Sequence, residues 1–136
     1  MNKGLYTSNT DLWSTPQKLF DQYGSGLKID VCAWPENAKC SKYFSPRVDG
    51  LKQDWNEDFW MNPPYGREIG NWIKKACEES IKHCVRGVCL LPSRTDTAWF
   101  HDWVLGKGEI EFLRGRLKFG DSKNSAPFPS IIVIYG

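Results

Sequence analysis

Apolar and polar positions along the chain predict short strands in its first half. Residues 27–33 alternate apolar and polar side chains directly after a Gly-Ser-Gly breaker, which predicts a first strand. Pro35 then opens a helical turn that we expect to run through Cys40. Apolar runs at 42–44 and 58–61 predict two further strands, and the two prolines after the last run end it in a rigid loop.

The second half of the chain alternates helical and strand patterns. Over residues 68–83 apolar side chains recur every three or four positions and charged ones fill the other face, which predicts an amphipathic helix. A mostly apolar run at 85–92, closed by proline, predicts a buried strand, and residues 97–105 predict a second helix. Residues 109–117 and 130–135 predict two final strands joined by a connection of about a dozen residues.

This order of elements is typical of an open α/β sheet that is mostly parallel and ends in an antiparallel pair. In such sheets ligands bind at the carboxyl ends of the strands. We therefore expect the loops at 30–33, 62–66 and 92–96 to face one crevice.

Composition limits the class of protein. The 136 residues, 40% of them hydrophobic, suit one domain spanning residues 1–136. No run approaches the roughly 18 apolar residues that cross a bilayer, and the first residues lack the apolar stretch of a signal peptide, so we expect a cytoplasmic protein with no membrane partner. A net charge of +2 is too small to indicate nucleic acid by itself. Five cysteines without a CxxC pair predict reduced thiols and no metal.

The most informative segment is Asn62-Pro63-Pro64-Tyr65. Consecutive prolines stiffen the loop, so the Asn62 amide and the Pro63 carbonyl present two hydrogen-bond acceptors at a fixed spacing. An exocyclic amino group on a planar base donates two hydrogen bonds, and accepting both makes its nitrogen more nucleophilic, while Tyr65 stacks on the base. The loop therefore predicts activation of an aromatic amine; the alternative is an ordinary proline turn.

The same loop resembles that of amino methyltransferases that use S-adenosylmethionine. Across nearly the whole chain, ordered segments resemble the phage-type DNA N-6-adenine methyltransferases: LWSTPQKLF, IDVCA, NAKC, DGL, DW, MNPPYG, LLPSRTDT and FLRGRLKFG. The resemblance implies a Rossmann-like sheet of the S-adenosylmethionine-dependent methyltransferase type. It also implies methyl transfer to adenine N6 in double-stranded DNA, with S-adenosylmethionine as the cofactor.

The start of the chain carries one group of candidate cofactor residues. Trp13, Thr15 and Pro16 resemble the motif that closes over the methionine end of the cofactor in this family. Thr-Pro also suits a helix start, with Thr15 as the cap and Pro16 as the first helical residue. The alternative is that same cap without a ligand.

Further candidates follow the predicted strands. The Asp30 carboxylate can pair with the methionine ammonium of the cofactor, or it can be a helix cap. The usual glycine-rich turn is missing here, but the small residues Cys32 and Ala33 permit close backbone approach. Asp54 and Trp55 lie where related enzymes hold the cofactor adenine, or Asp54 is a surface acid.

Asp49 is a weaker candidate, for the ribose hydroxyls of the cofactor. It does not directly follow the second predicted strand.

Basic residues cluster late in the chain. On a strand, Arg114, Arg116 and Lys118 lie on one face, where they predict contacts to DNA phosphates, and Phe119 at its end can stack a base. The alternative is an edge strand protected by its charges. Arg94, after the buried strand, is a candidate for a phosphate or a base, or it belongs to a helix cap.

The expected reaction needs adenine to be flipped out of the duplex, because its N6 is otherwise inaccessible. Direct in-line transfer then requires neither a metal nor a covalent intermediate. Rival functions are methylation of RNA adenine or protein glutamine, and a catalytically silent DNA-binding or anti-restriction module on the same fold. The oligomeric state and the recognised DNA sequence stay open.

Overall fold

A computed structural model describes residues 14–119 and 125–136. Within them α1 and α2 are the α-helices, a 3-10 helix precedes β3, and a π-helical segment follows β4. Their bounds are α1 Gln17–Tyr23, β1 Ile29–Asp30, β2 Lys42–Tyr43, the 3-10 helix Gly50–Lys52, β3 Phe59–Met61, α2 Ile69–His83, β4 Gly87–Pro92, the π-helical segment Phe100–Val104, β5 Glu109–Phe112 and β6 Ser130–Tyr135. None of the helices in the described ranges is long and apolar enough to cross a membrane.

The strands of the described residues form one sheet in the order β2-β1-β3-β4-β6-β5. The first four in that order are parallel, and β6 runs antiparallel to both of its neighbours. The expected α/β class, the mostly parallel sheet and the antiparallel C-terminal pair are thus confirmed. From β1 the chain moves outward to β2 and then returns to the other side of β1 as β3, so the strand order reverses between β1 and β3. Ligands bind at such a reversal in open α/β sheets.

The core lies around β4 and β6. Every residue of β4 is buried, and α2 covers this part of the molecule with the apolar face that its periodicity predicts. Trp72 of α2 stacks on Trp55 at 6.1 Å between ring centroids, and Phe59 of β3 lies 5.1 Å from Trp55. These fully buried rings join helix, loop and strand into one apolar cluster.

The first strand, the turn after it and the start of α1 differ from the predictions. The first strand ends at Asp30 because the Cys32 backbone N–H donates to the Asp30 side chain instead of extending the ladder. The turn after Pro35 covers residues 35–37 only and does not reach Cys40. Thr15 does not cap α1: Pro16 is the N-cap residue and makes no side-chain cap.

The late basic residues are not on a strand. β5 ends at Phe112, and Gly115 turns the chain with a φ of 74°. Arg114, Arg116 and Lys118 are therefore exposed on an irregular connection, and the prediction that they share one face of a strand is wrong.

Candidate active site at the carboxyl ends of β1 and β3

Asn62 directly follows β3 and is held in one orientation. Its Nδ2 donates a hydrogen bond to Thr15 Oγ1 at 3.0 Å, and Pro63 and Pro64 behind it are buried. Because Nδ2 is engaged by Thr15, the Oδ1 acceptor is directed to the opposite side of the amide. The Thr15 hydroxyl thus positions the amide of the loop, which the sequence pattern alone did not reveal.

The neighbouring residue Ser14 connects to the loop after β1. Asn37 Nδ2 donates to Ser14 Oγ at 3.3 Å, while Asn37 Oδ1 accepts from the Trp34 backbone N–H at 2.9 Å. Residues 14–15 therefore link the loops that follow β1 and β3, across the reversal in strand order. Asn37 was not among the predicted site residues; its only signal was its place in the NAKC segment.

Asp30 ends β1 with a carboxylate that is almost completely buried. Its oxygens accept hydrogen bonds from the backbone N–H groups of Cys32 at 3.2 Å and Lys39 at 3.0 Å. Burial raises the pKa of Asp30 to about 7, although those two hydrogen bonds act in the opposite direction. Ala33 is buried beside it, with its N–H bonded to the Phe44 carbonyl. The arrangement is a desolvated acid at the carboxyl end of β1, where a cation would stabilise its charge.

Tyr65 lies in the core. Its hydroxyl donates to the Leu90 carbonyl at 3.3 Å, and burial raises its pKa. Phe119 and Phe128 meet its ring edge-on at 6.4 and 5.4 Å. Tyr65 and Phe119 pack against each other and anchor the connection after β5 to the Asn62 loop, and the stacking of either ring on a base stays a prediction.

Asp49 lies near the carboxyl end of β1. It has a φ of 55°, and its carboxylate accepts from the Leu51 N–H at 3.1 Å, which starts the 3-10 helix. The next residue, Gly50, approaches the Val31 carbonyl and the Trp72 ring so closely that any side chain there would collide with them. This close packing keeps Asp49 beside the loop after β1.

Asp54 is not brought to the other candidates, whereas Trp55 is hydrogen-bonded to Gly50, the residue after Asp49. Trp55 is fully buried, with its indole N–H donating to the Gly50 carbonyl and its backbone N–H to Glu79. Asp54 is exposed and lies 3.6 Å from Lys82 at the end of α2. That end of α2 precedes β4, so Asp54 belongs to the amino-terminal edge of the sheet, as the surface-acid alternative predicts.

Asp54 also takes part in a group that has the composition of a metal site. The ligand atoms of Asp54, Glu79 and His83 lie within 4.8 Å of one another. Lys75 and Lys82 stand 3.5 and 3.6 Å from these carboxylates and already supply positive charge. The absence of a metal stays a prediction.

The remaining candidates take different positions. Arg94 is exposed in the loop after β4, and its carbonyl accepts from Thr97, so that the loop leads into the helical turn. Trp13 lies outside the described residues.

Comparison with known proteins identifies the family to which this chain belongs. The model of the family described as DNA N-6-adenine-methyltransferase (Dam) matches residues 3–135. The chain is 35% identical over 123 residues to a DNA N-6-adenine-methyltransferase of Escherichia phage T1. These residues are 85% of this chain and 50% of that protein. The chain is 30% identical over 139 residues to one of Haemophilus phage HP1, covering 94% of this chain and 80% of that protein.

Proposed function

Because the chain belongs to the DNA N-6-adenine-methyltransferase (Dam) family, we propose that it transfers a methyl group from S-adenosylmethionine to adenine N6 in DNA. The chain spans about half the length of the phage T1 relative and 80% of the HP1 relative. The observation that carries the proposal is the Asn62 amide, fixed by Thr15 on a double-proline loop at the reversal in strand order.

The site residues fit the proposed cofactor in part. When bound, S-adenosylmethionine supplies an activated methyl group on a sulfonium. The buried Asp30 carboxylate suits the ammonium of its methionine part, since burial makes a cationic partner favourable. Residues 14–16 close over that end, the backbone at Cys32 and Ala33 allows close approach, and Asp49 serves the ribose. The sheet then acts as a Rossmann-like cofactor platform in a single catalytic domain, and a contact of Asp54 and Trp55 with the cofactor adenine stays a prediction.

The chain's own groups prepare the base. Adenine flips out of the duplex, because N6 cannot otherwise reach a pocket. The Asn62 Oδ1 and the Pro63 carbonyl accept its two N6 hydrogens, which turns the nitrogen lone pair toward the methyl group. Tyr65 is held beside this loop by its hydrogen bond to the Leu90 carbonyl. The surplus proton leaves to water.

Transfer of a tritiated methyl group separates this function from its rivals. The protein is incubated with methyl-tritiated S-adenosylmethionine and, separately, duplex DNA, RNA and a mixture of proteins. We expect label in DNA alone. Label mainly in RNA or protein would assign the loop to a different acceptor, and cofactor binding without any transfer would indicate a silent module.

A further inference from the structure

A groove of about 780 Å³ opens beside the Asn62 loop. Its walls are the segment after β3, the first turns of α2, the end of β4 and the helical residues that follow it. This volume falls in the range of about 300–1,000 Å³ that is typical of ligand sites. Tyr65 and Gly66 form part of the wall, whereas Asn62, Pro63 and Pro64 do not. The groove is therefore next to the position proposed for the reacting amine, separated from it by the loop itself.

The charge of the groove is positive. Arg67, Lys74 and Arg94 line it and are exposed, and Asp102 is the acidic residue among the lining side chains. They come from three separate elements: the loop after β3, α2 and the loop after β4. Because the fold brings three cations to one concave surface, the groove suits a ligand with several negative charges along its length.

The groove also offers aromatic surface. Trp99 and Trp103 line it and are each only partly buried. The Trp103 ring has the ammonium groups of Lys74 and Lys107 at 5.6 and 5.2 Å from its centroid. Aromatic rings among cations are the combination that binds unstacked nucleotides, since the rings stack on bases while the cations meet phosphates.

We propose, on the basis of the proposed function, that this groove binds the nucleotides that flank the target adenine. Arg67, Lys74 and Arg94 contact phosphates, and the indole of Trp99 stacks on a neighbouring base. The position beside Tyr65 but away from Asn62 supports a flanking nucleotide and not the target. The groove then supplies phosphate contacts of its own, in addition to those that Arg114 and Arg116 make on the connection after β5.

The test measures the affinity for a fluorescent DNA duplex by anisotropy over a range of salt concentrations. Arg67→Ala with Lys74→Ala should weaken binding at all sequences and lower the slope of log affinity against log salt by up to about 2. The matched control is Lys28→Ala with Arg86→Ala, which removes the same charges from exposed positions before β1 and β4, at the opposite edge of the sheet. This control should keep the wild-type slope. Trp99→Leu should weaken binding by roughly fivefold or more without changing the slope, because it removes stacking and not charge.

Each outcome decides the matter. An unchanged slope in the groove variant, an equal change in the control, or no binding of DNA by the wild-type protein at about 50 mM salt overturns the groove proposal. Calorimetry of S-adenosylmethionine binding shows that the variants are folded. A wild-type protein that binds DNA through the groove but transfers no methyl group would refute the proposed function alone. A protein that methylates DNA while the groove variant binds normally would refute the groove alone.

Discussion

Thr15 and Asn62 are 47 positions apart in sequence, yet a single hydrogen bond between them sets the direction of the Asn62 amide. Asn62→Ala removes one acceptor at the point where charge develops, and we expect methyl transfer to fall at least about a hundredfold. Thr15→Val keeps the Asn62 acceptor but no longer fixes its orientation. Its loss of methyl transfer should therefore be smaller than that of Asn62→Ala. Initial rates at saturating cofactor and DNA measure both effects.

Asn56→Ala provides the control for this series, because it removes an exposed amide at the other end of β3. Its rate should equal that of the wild type. If Asn62→Ala retains near wild-type turnover, the loop does not activate the amine. If Thr15→Val loses more activity than Asn62→Ala, Thr15 has a role beyond orienting the amide.

Asp30 should make stability depend on pH. Its pKa is about 7 in the fold against a usual value of 3.8, so between these values the folded protein binds a proton that the unfolded chain does not. The stabilisation is fully present below the lower value and is lost as pH rises through about 7, by at most about 4 kcal/mol at 1.36 kcal/mol per pKa unit. Denaturant unfolding of the wild type and Asp30→Asn from pH 4 to 8 measures it. If the free energy of unfolding of the wild type changes with pH no more than that of Asp30→Asn, the pKa of Asp30 is not raised in the fold.

At the level of single residues, the sequence predicted what local chemistry determines. Two prolines after an asparagine define a rigid loop wherever the chain goes, so Asn62 was found. Asn37 and the hydrogen bond between Thr15 and Asn62 depend on distant contacts and were not predicted. For Trp55 the partners Trp72 and Glu79 are on α2, so its complete burial depends on a distant helix that no local pattern reveals.

Among the elements, periodicity predicted α2 closely because one buried face runs from Ile69 to Ser80, most of its length. The end of β5 was harder to predict. Alternation continues in the sequence beyond Phe112, but Gly115 turns the backbone and the ladder with β6 stops. Alternation shows which residues would share a face on a strand, and it does not show where the strand ends.

The connection after β5 still presents Arg114 and Arg116 to solvent, close to the Asn62 loop through Phe119 and Tyr65. Arg114→Ala with Arg116→Ala should lower the salt slope of DNA binding by no more than about 2, with cofactor affinity unchanged, if both contact phosphates. Anisotropy in parallel with calorimetry checks this. If affinity and slope both stay at the wild-type values, the two arginines do not contact DNA, and the groove alone holds the backbone.

In the whole molecule, different functional groups lie at the two ends of the strands. The carboxyl-terminal edge holds Asp30, Asn37, Asn62 and the groove, whereas the amino-terminal edge holds Asp54, Glu79 and His83. The sheet order could be anticipated as a class, since alternating strands and helices favour parallel pairing. The position of β6 between β4 and β5 comes from long-range pairing that no local pattern contains.

The central claim is that this edge of the sheet methylates N6 of adenine in DNA. The most direct test is mass spectrometry of the nucleosides from duplex DNA incubated with the protein and S-adenosylmethionine carrying a deuterated methyl group. We predict labelled N6-methyldeoxyadenosine from the wild type and at least about a hundredfold less from Asn62→Ala. Label in another nucleoside, or none from a folded protein that binds both cofactor and DNA, would contradict the claim.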